Sequence, residues 1–128
     1  MQYQNILLID DDLEDQEIFN SALDEVSEEL QCTALTNAKE ALDQLNRKEL
    51  TPDVIFLDLN MPLMTGQEFL KEIKRVDHLQ SIPVIIFTTS SNAATIEQTK
   101  VLGASDFITK PSKFDLLVTI LRTILNRH

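Results

Sequence analysis

The sequence predicts an α/β fold, a doubly wound parallel sheet of five strands covered by five helices. Three observations carry this. Five short apolar runs alternate with five longer segments whose apolar residues recur at helical spacing. The runs are uninterrupted, as in Ile6-Leu7-Leu8-Ile9, Val54-Ile55-Phe56-Leu57 and Val84-Ile85-Ile86-Phe87. A continuous apolar run, rather than an alternating one, belongs to a strand covered on both faces, and strict alternation with helices supplies the cover.

The elements follow in order. Residues 5–10 form the first expected strand, and a helix over 12–29 turns Ile18, Phe19, Ala22, Leu23 and Val26 inward. Asp11 or Asp12 caps that helix, and acidic residues suit its first turn. Gln31–Thr36 is a second, shorter strand, and Asn37 is the N-cap of a helix over 38–48. Pro52-Asp53 closes the loop before the third strand, 54–57. Thr65-Gly66 leads into a helix over 66–75 with Phe69, Leu70 and Ile73 inward. Pro83 opens the fourth strand, 84–87. A helix from about 92 to 102 stops at Gly103, a residue that accepts the left-handed conformation past a helix end. Phe107–Thr109 is the fifth strand, and 112–126 is the last helix.

The 128 residues are the size of one domain, and 43% hydrophobic residues are enough for a core. We expect a single domain over 1–128 with its core at about 5–126; only Arg127-His128 follow the last helix, so no effector domain is expected. Two glycines and four prolines leave no flexible linker. No apolar run approaches the roughly 20 residues that a bilayer helix needs, so no membrane partner is expected. Met1-Gln2-Tyr3-Gln4-Asn5 lacks the pattern of a cleavable leader. The single Cys32, in a strand expected to be buried, fits a reducing cytoplasm.

The net charge of -10 is unevenly spread. Residues 1–38 hold ten acidic side chains and no Lys or Arg, and the remaining 90 hold eleven of each sign. Such a chain does not bind nucleic acid by neutralising phosphates. Glu14, Glu17, Asp24, Glu25, Glu28 and Glu29 form either a solvated helix face or a surface that steers a basic partner.

Four of the five strands run into a polar residue. Asp10-Asp11-Asp12 follow the first, Asp58 the third, Thr88 the fourth and Lys110 the fifth. Parallel sheets bind ligands outside the carboxyl ends of their strands, where all of these residues fall. Crowded carboxylates hold their protons unless a cation is present, and hard oxygen donors suit Mg²⁺ (or Mn²⁺). Asp11 and Asp58 are the candidate direct ligands, with Asp10 acting through water or hydrogen bonds and the Asn60 backbone carbonyl completing the set. Periodicity does not decide which of the three aspartates points inward; Asp12 suits the role of helix cap.

An aspartate can also be a nucleophile that forms an aspartyl-phosphate. Asp58 is the candidate, because it ends a central strand and leads into the turn Asn60-Met61-Pro62. Lys110 offers a point charge and Thr88 a hydroxyl for the oxygens of a transferring phosphoryl group. Lys110-Pro111 is a candidate cis peptide that would aim the lysine inward.

The ordered set Asp10-Asp11, Asp58, Thr88 and Lys110-Pro111 resembles the receiver domain of two-component response regulators, including the chemotaxis regulators, over about residues 5 to 126. The strings Leu7-Leu8-Ile9-Asp10-Asp11-Asp12, Asp58-Leu59-Asn60-Met61-Pro62-Leu63-Met64-Thr65-Gly66 and Gly103-Ala104-Ser105-Asp106-Phe107-Ile108-Thr109-Lys110-Pro111 carry the resemblance. It implies a flavodoxin-like (βα)5 fold and a signalling phosphoacceptor rather than an enzyme with a substrate. Asp58 would accept a phosphoryl group from a sensor histidine kinase or histidine phosphotransfer protein. Asp10, Asp11 and the Asn60 carbonyl would hold Mg²⁺, and Lys110 and Thr88 would bind the phosphoryl oxygens. Self-catalysed phosphorylation and slow hydrolysis would follow, with Thr88 and Phe107 as the switch. Many members of that family carry Tyr at the place of Phe107; without a hydroxyl the switch would work by packing alone. Thr89 stands where a smaller residue is frequent, which would alter hydrolysis.

On the last helix, Leu116, Leu117, Ile120, Leu121 and Ile124 form the expected core stripe. Phe114, Val118 and Leu125 widen the apolar arc beyond the ~100° of an ordinary surface helix. This is either deep packing or a patch for a downstream protein or a second copy. His78 and His128 have no metal partners in view and are expected to be exposed bystanders. Three other functions compete. A Mg²⁺-dependent phosphohydrolase would use Asp10 as nucleophile and Asp12 as acid/base, but leaves Asp58 without a role. A flavodoxin-like nucleotide binder needs phosphate donors after the first strand, where three aspartates stand instead. A receiver-like docking module that takes no phosphate has no use for the complete residue set.

Overall fold

The computed structural model describes residues 3–126. Ten elements alternate along them: β1 (Asn5–Ile9), α1 (Leu13–Val26), β2 (Gln31–Leu35), α2 (Ala38–Asn46), β3 (Val54–Leu57), α3 (Gly66–Ile73), β4 (Val84–Thr88), α4 (Ala93–Val101), β5 (Asp106–Thr109) and α5 (Phe114–Leu125). The helices are shorter than the sequence predicts; α1 stops at Ser27, whose backbone is extended. All strand pairs are parallel, in the order β2-β1-β3-β4-β5. This is the doubly wound, flavodoxin-like fold that the sequence predicts. The strand order reverses at β1, so the carboxyl ends of β1 and β3 flank the crevice where such sheets bind ligands.

The two-residue period of a strand divides the core. Leu7, Ile9, Ile55, Leu57, Val84 and Ile86 face one way, against Ala41, Leu45, Phe69, Leu70 and Ile73 of α2 and α3. Ile6, Leu8, Val54, Phe56, Ile85, Phe87 and Ile108 face the other, against Phe19, Leu23, Leu117, Leu121 and Ile124 of α1 and α5. Phe19, Phe56 and Phe87 cluster there, with Phe56 edge-on to both others and its ring centroid 5.0 Å from that of Phe19.

The expected caps form. Asp12 accepts from the backbone of Glu14 and Asp15, Asn37 caps α2, and Gly103 follows α4 with φ of 106°. A reciprocal capping box joins Thr65 and Glu68 at the start of α3.

Four expectations are corrected. Ile18 is 41% exposed, because buried Gln16 takes a place in the inward stripe of α1 with Phe19, Ala22 and Leu23. On α5, Leu116 is 50% exposed and Ile120 only half-buried, whereas Val118 and Leu125 are buried. The core stripe is Leu117, Val118, Leu121, Ile124 and Leu125, because α5 packs against α1 and the sheet together and needs a wide apolar arc. Cys32 is half-buried rather than buried, and burial still pushes its thiol up to about 12, so it stays protonated. The Lys110-Pro111 bond is trans, as are all peptide bonds among the described residues; the Lys110 backbone N–H continues the sheet ladder to the Thr88 carbonyl at 2.8 Å, and the long stem of the side chain reaches the pocket from there. His78 is exposed as expected, with a ring nitrogen 3.3 Å from the Leu45 carbonyl, and His128 lies outside the described residues.

Candidate functional site

Register brings the acids together. Ile9 is paired with Leu57 on adjacent strands, so the next residues, Asp10 and Asp58, emerge side by side at the sheet edge. Backbone bonds hold both: Asp10 N donates to the Leu35 carbonyl and Asp58 N to the Ile9 carbonyl, each at 3.0 Å. Asp10 is the aspartate of its triplet that turns inward, and it is buried. Asp11 and Asp12 are exposed, but one carboxylate oxygen from each of Asp10, Asp11 and Asp58 lies within 4.8 Å of the others. Three convergent oxygens of this kind fit a hard divalent cation.

Lys110 closes the pocket from the end of β5. Its ammonium donates to Asp10 Oδ2 at 2.8 Å, to Asp15 Oδ2 at 2.8 Å and to Asp58 Oδ2 at 3.4 Å. It also lies 5.6 Å from the centroid of the Phe87 ring. Burial acts to lower the lysine, but the hydrogen bonds to Asp10 and Asp15 outweigh it and hold the group charged well above its ordinary range. At Asp10 burial wins: it pushes the carboxyl up, against the hydrogen bonds from Lys110 and the Asp12 backbone. Asp10, Asp15 and Asp58 thus share the Lys110 ammonium, and Asp11 converges on Asp10 and Asp58; among the described residues this excess of acids is one that a divalent cation would offset.

Thr88 is fully buried at the end of β4. The Asn60 amide donates to its hydroxyl at 3.4 Å and to Ser90 Oγ at 3.2 Å, which ties the loop after β3 to the loop after β4. Asn60 N turns back to Asp58 Oδ1 at 3.3 Å. Phe107 lies away from the carboxylates, half-buried against the α3 side of the core, and lines a surface groove with Ile96, Thr99 and Lys100 of α4.

The family model for the response regulator receiver domain matches residues 6–122. The chain belongs to this family. Among curated relatives, the receiver is 42% identical over 78 residues to a protein-glutamate methylesterase/protein-glutamine glutaminase of Syntrophomonas wolfei, a match that covers 59% of this chain and 21% of that protein. The chain thus spans about a fifth of that relative. Two solved structures are similar throughout. The phosphorylated cyanobacterial phytochrome response regulator RcpA superimposes with a TM-score of 0.86 at 30% identity, covering 95% of this chain and 91% of that one. The Mn²⁺-bound form of response regulator Rcp1 superimposes with a TM-score of 0.82 at 28% identity, covering 94% and 91%. This receiver is a phosphoacceptor signalling domain of the two-component type.

Sequence reasoning missed three side chains of the receiver's pocket. Asp15 looked like one more acid in a helix's first turn, and its partner is 95 residues away. Gln16 donates to the Asp10 carbonyl at 2.7 Å and steadies the inward aspartate from below; a polar residue on the apolar stripe of α1 was the available signal. Ser90 gave no signal beyond its nearness to Thr88. Asp12, in contrast, is exposed and caps α1 through Oδ1, as its place in the sequence suggests.

Proposed function

We propose that this receiver takes a phosphoryl group on Asp58, in a Mg²⁺- or Mn²⁺-dependent reaction that its own residues catalyse. The observation that carries this is the placement of Asp58: buried, at the strand-order reversal, with an oxygen within 4.8 Å of those of Asp10 and Asp11 and 3.4 Å from the Lys110 ammonium. Asp10, Asp11, Asp58 and the Asn60 carbonyl hold the metal. When bound, Mg²⁺ supplies positive charge against the phosphoryl oxygens.

Asp58 Oδ attacks the phosphorus of a phosphohistidine on a sensor kinase or phosphotransfer protein. The new O–P bond forms as the N–P bond breaks, and the electron pair leaves on the imidazole nitrogen. Lys110 stays charged and balances the transferred oxygens, and the Thr88 hydroxyl turns to donate to one of them. That hydroxyl accepts from the Asn60 amide at 3.4 Å, and a hydroxyl that accepts can still donate its own proton. Hydrolysis of the acyl phosphate returns the carboxylate slowly.

The output follows from Thr88 and Phe107. Once Thr88 is drawn towards Asp58, Phe107 repacks in the groove against α4 and changes which protein docks there. Residues 5–126 act as one unit, in the cytoplasm, with no direct contact to nucleic acid. Among the described residues no helix is long and apolar enough to cross a membrane. On α5, the surface available to a downstream protein or a second copy narrows to Phe114 and Leu116, because Val118 and Leu125 are in the core.

The deciding experiment is incubation with acetyl phosphate and Mg²⁺, followed by intact mass. One added phosphoryl group in the wild type, none in Asp58→Asn and none with chelator is the expected result. A wild type that stays unmodified would overturn the assignment of Asp58.

A further inference from the structure

We propose that Asp15, from the first turn of α1, is a positioning residue for the phosphoryl-binding lysine. An ammonium has three N–H donors. In this receiver Asp10 and Asp15 take two of them at 2.8 Å each, and the third reaches Asp58 at 3.4 Å. Asp10 alone would leave the head of a long, flexible stem free to rotate about one contact. Asp15 adds a second anchor from a different element, and two short anchors leave the remaining donor directed at Asp58, where a transferred phosphoryl group would arrive.

The anchor is built by the helix cap. Asp15 N donates to Asp12 Oδ1 at 3.2 Å, which fixes the first turn of α1, and Gln16 ties the same turn to the Asp10 carbonyl. The Asp15 side chain is 33% exposed, whereas the lysine it holds is 11% exposed. An ion pair between two exposed groups contributes little, but here one partner is largely withdrawn from water, so the pair has a defined geometry. Asp15 is not among the three acids that converge as metal donors. Its work is therefore on the lysine and not on the cation. It does not touch the reacting atoms and acts only through Lys110.

This inference rests on the assignment of Asp58 and Lys110 above, and its test separates the two. The metal-free protein is labelled with ¹⁵N, and exchange of the Lys110 ζ-ammonium protons with water is followed by NMR. Asp15→Ala is expected to speed that exchange, Asp15→Asn to speed it less because its amide oxygen still accepts, and Asp15→Glu to restore part of the protection. Phosphorylation by acetyl phosphate with Mg²⁺ should slow in Asp15→Ala by roughly tenfold, less than the ~100-fold attached to a full 1 Å misplacement of a reacting group. The Mg²⁺ concentration for half-maximal rate should change far less. If exchange and rate are both unchanged in Asp15→Ala, or if Asp15→Ala and Asp15→Asn are phosphorylated faster than wild type, Asp15 does not position the lysine. Phosphorylation surviving in Asp58→Asn would instead overturn the underlying site assignment and leave the exchange result standing.

Discussion

Gly66 lies directly against the backbone of Asp58. A Cβ at residue 66 would sit 2.5 Å from the Asp58 carbonyl oxygen and 2.8 Å from Leu59 Cα. Both are backbone atoms, so neither can swing aside. Gly66 N also donates to the Leu59 carbonyl at 3.2 Å, which locks the start of α3 onto the loop that follows Asp58. Gly66→Ala is expected to cost about 1–3 kcal/mol, the range for overpacking a filled site. Because the displaced atoms belong to Asp58 and Leu59, phosphoryl uptake should fall as well. Urea unfolding and intact mass after acetyl phosphate would check both; an unchanged protein on both counts would contradict the close approach.

Stabilisation by Mg²⁺ should depend on pH through Asp10. Burial raises this carboxyl above its ordinary value of 3.8, so the fold favours its protonated form. The stability this contributes is present below the ordinary value and is lost as pH rises through the folded one. Above it, the pocket holds ionised acids that a cation relieves; below it, the proton competes with the metal. Lys110 does not interfere, because its raised value keeps its contribution intact below 10.5 and loses it only in more alkaline solution. The rise in Tm on adding Mg²⁺ should therefore be larger at about pH 8 than at about pH 4.5. An equal rise at both would contradict the raised Asp10.

Loss of the α3 capping box is a smaller, separable effect. Thr65 Oγ1 accepts from Glu68 N at 3.2 Å and Glu68 Oε1 accepts from Thr65 N at 3.0 Å. Thr65→Ala removes the first of these and should cost roughly 0.5–2 kcal/mol. Denaturant unfolding measures it, and a shift under a few tenths of a kcal/mol would show that water replaces the cap without cost.

Thr89 is exposed between buried Thr88 and half-buried Ser90, whose hydroxyls both accept from the Asn60 amide. Thr89→Ala leaves a smaller side chain beside Thr88 and should shorten the lifetime of the phosphorylated form, followed as loss of the phosphoryl mass after the donor is removed. A lifetime equal to wild type would show that Thr89 does not shield the site.

Much of the fold was legible because it is encoded locally. The uninterrupted apolar runs at 6–9, 54–57 and 84–87 mark buried strands by their own composition, and Asp12, Asn37 and Gly103 mark helix ends by their own backbone preferences. The site was legible in outline, since Asp10, Asp58, Thr88 and Lys110 each end a strand and parallel strands end on one side. The α5 surface was not. Its apolar arc admits two rotations that differ by one residue, and packing against α1 selected the one that buries Val118 and Leu125 and exposes Leu116.

What the amino-acid order determined by itself, then, is the alternation of strands and helices and the kinds of polar group at the strand ends, because both depend on residues a few positions apart. What only the tertiary structure decided is the choice of Asp10 over its neighbours as the inward acid and the recruitment of Asp15 to Lys110. Those contacts join residues 100 and 95 positions apart, and they exist only once β1 and β5 are placed in one sheet and α1 is laid across it.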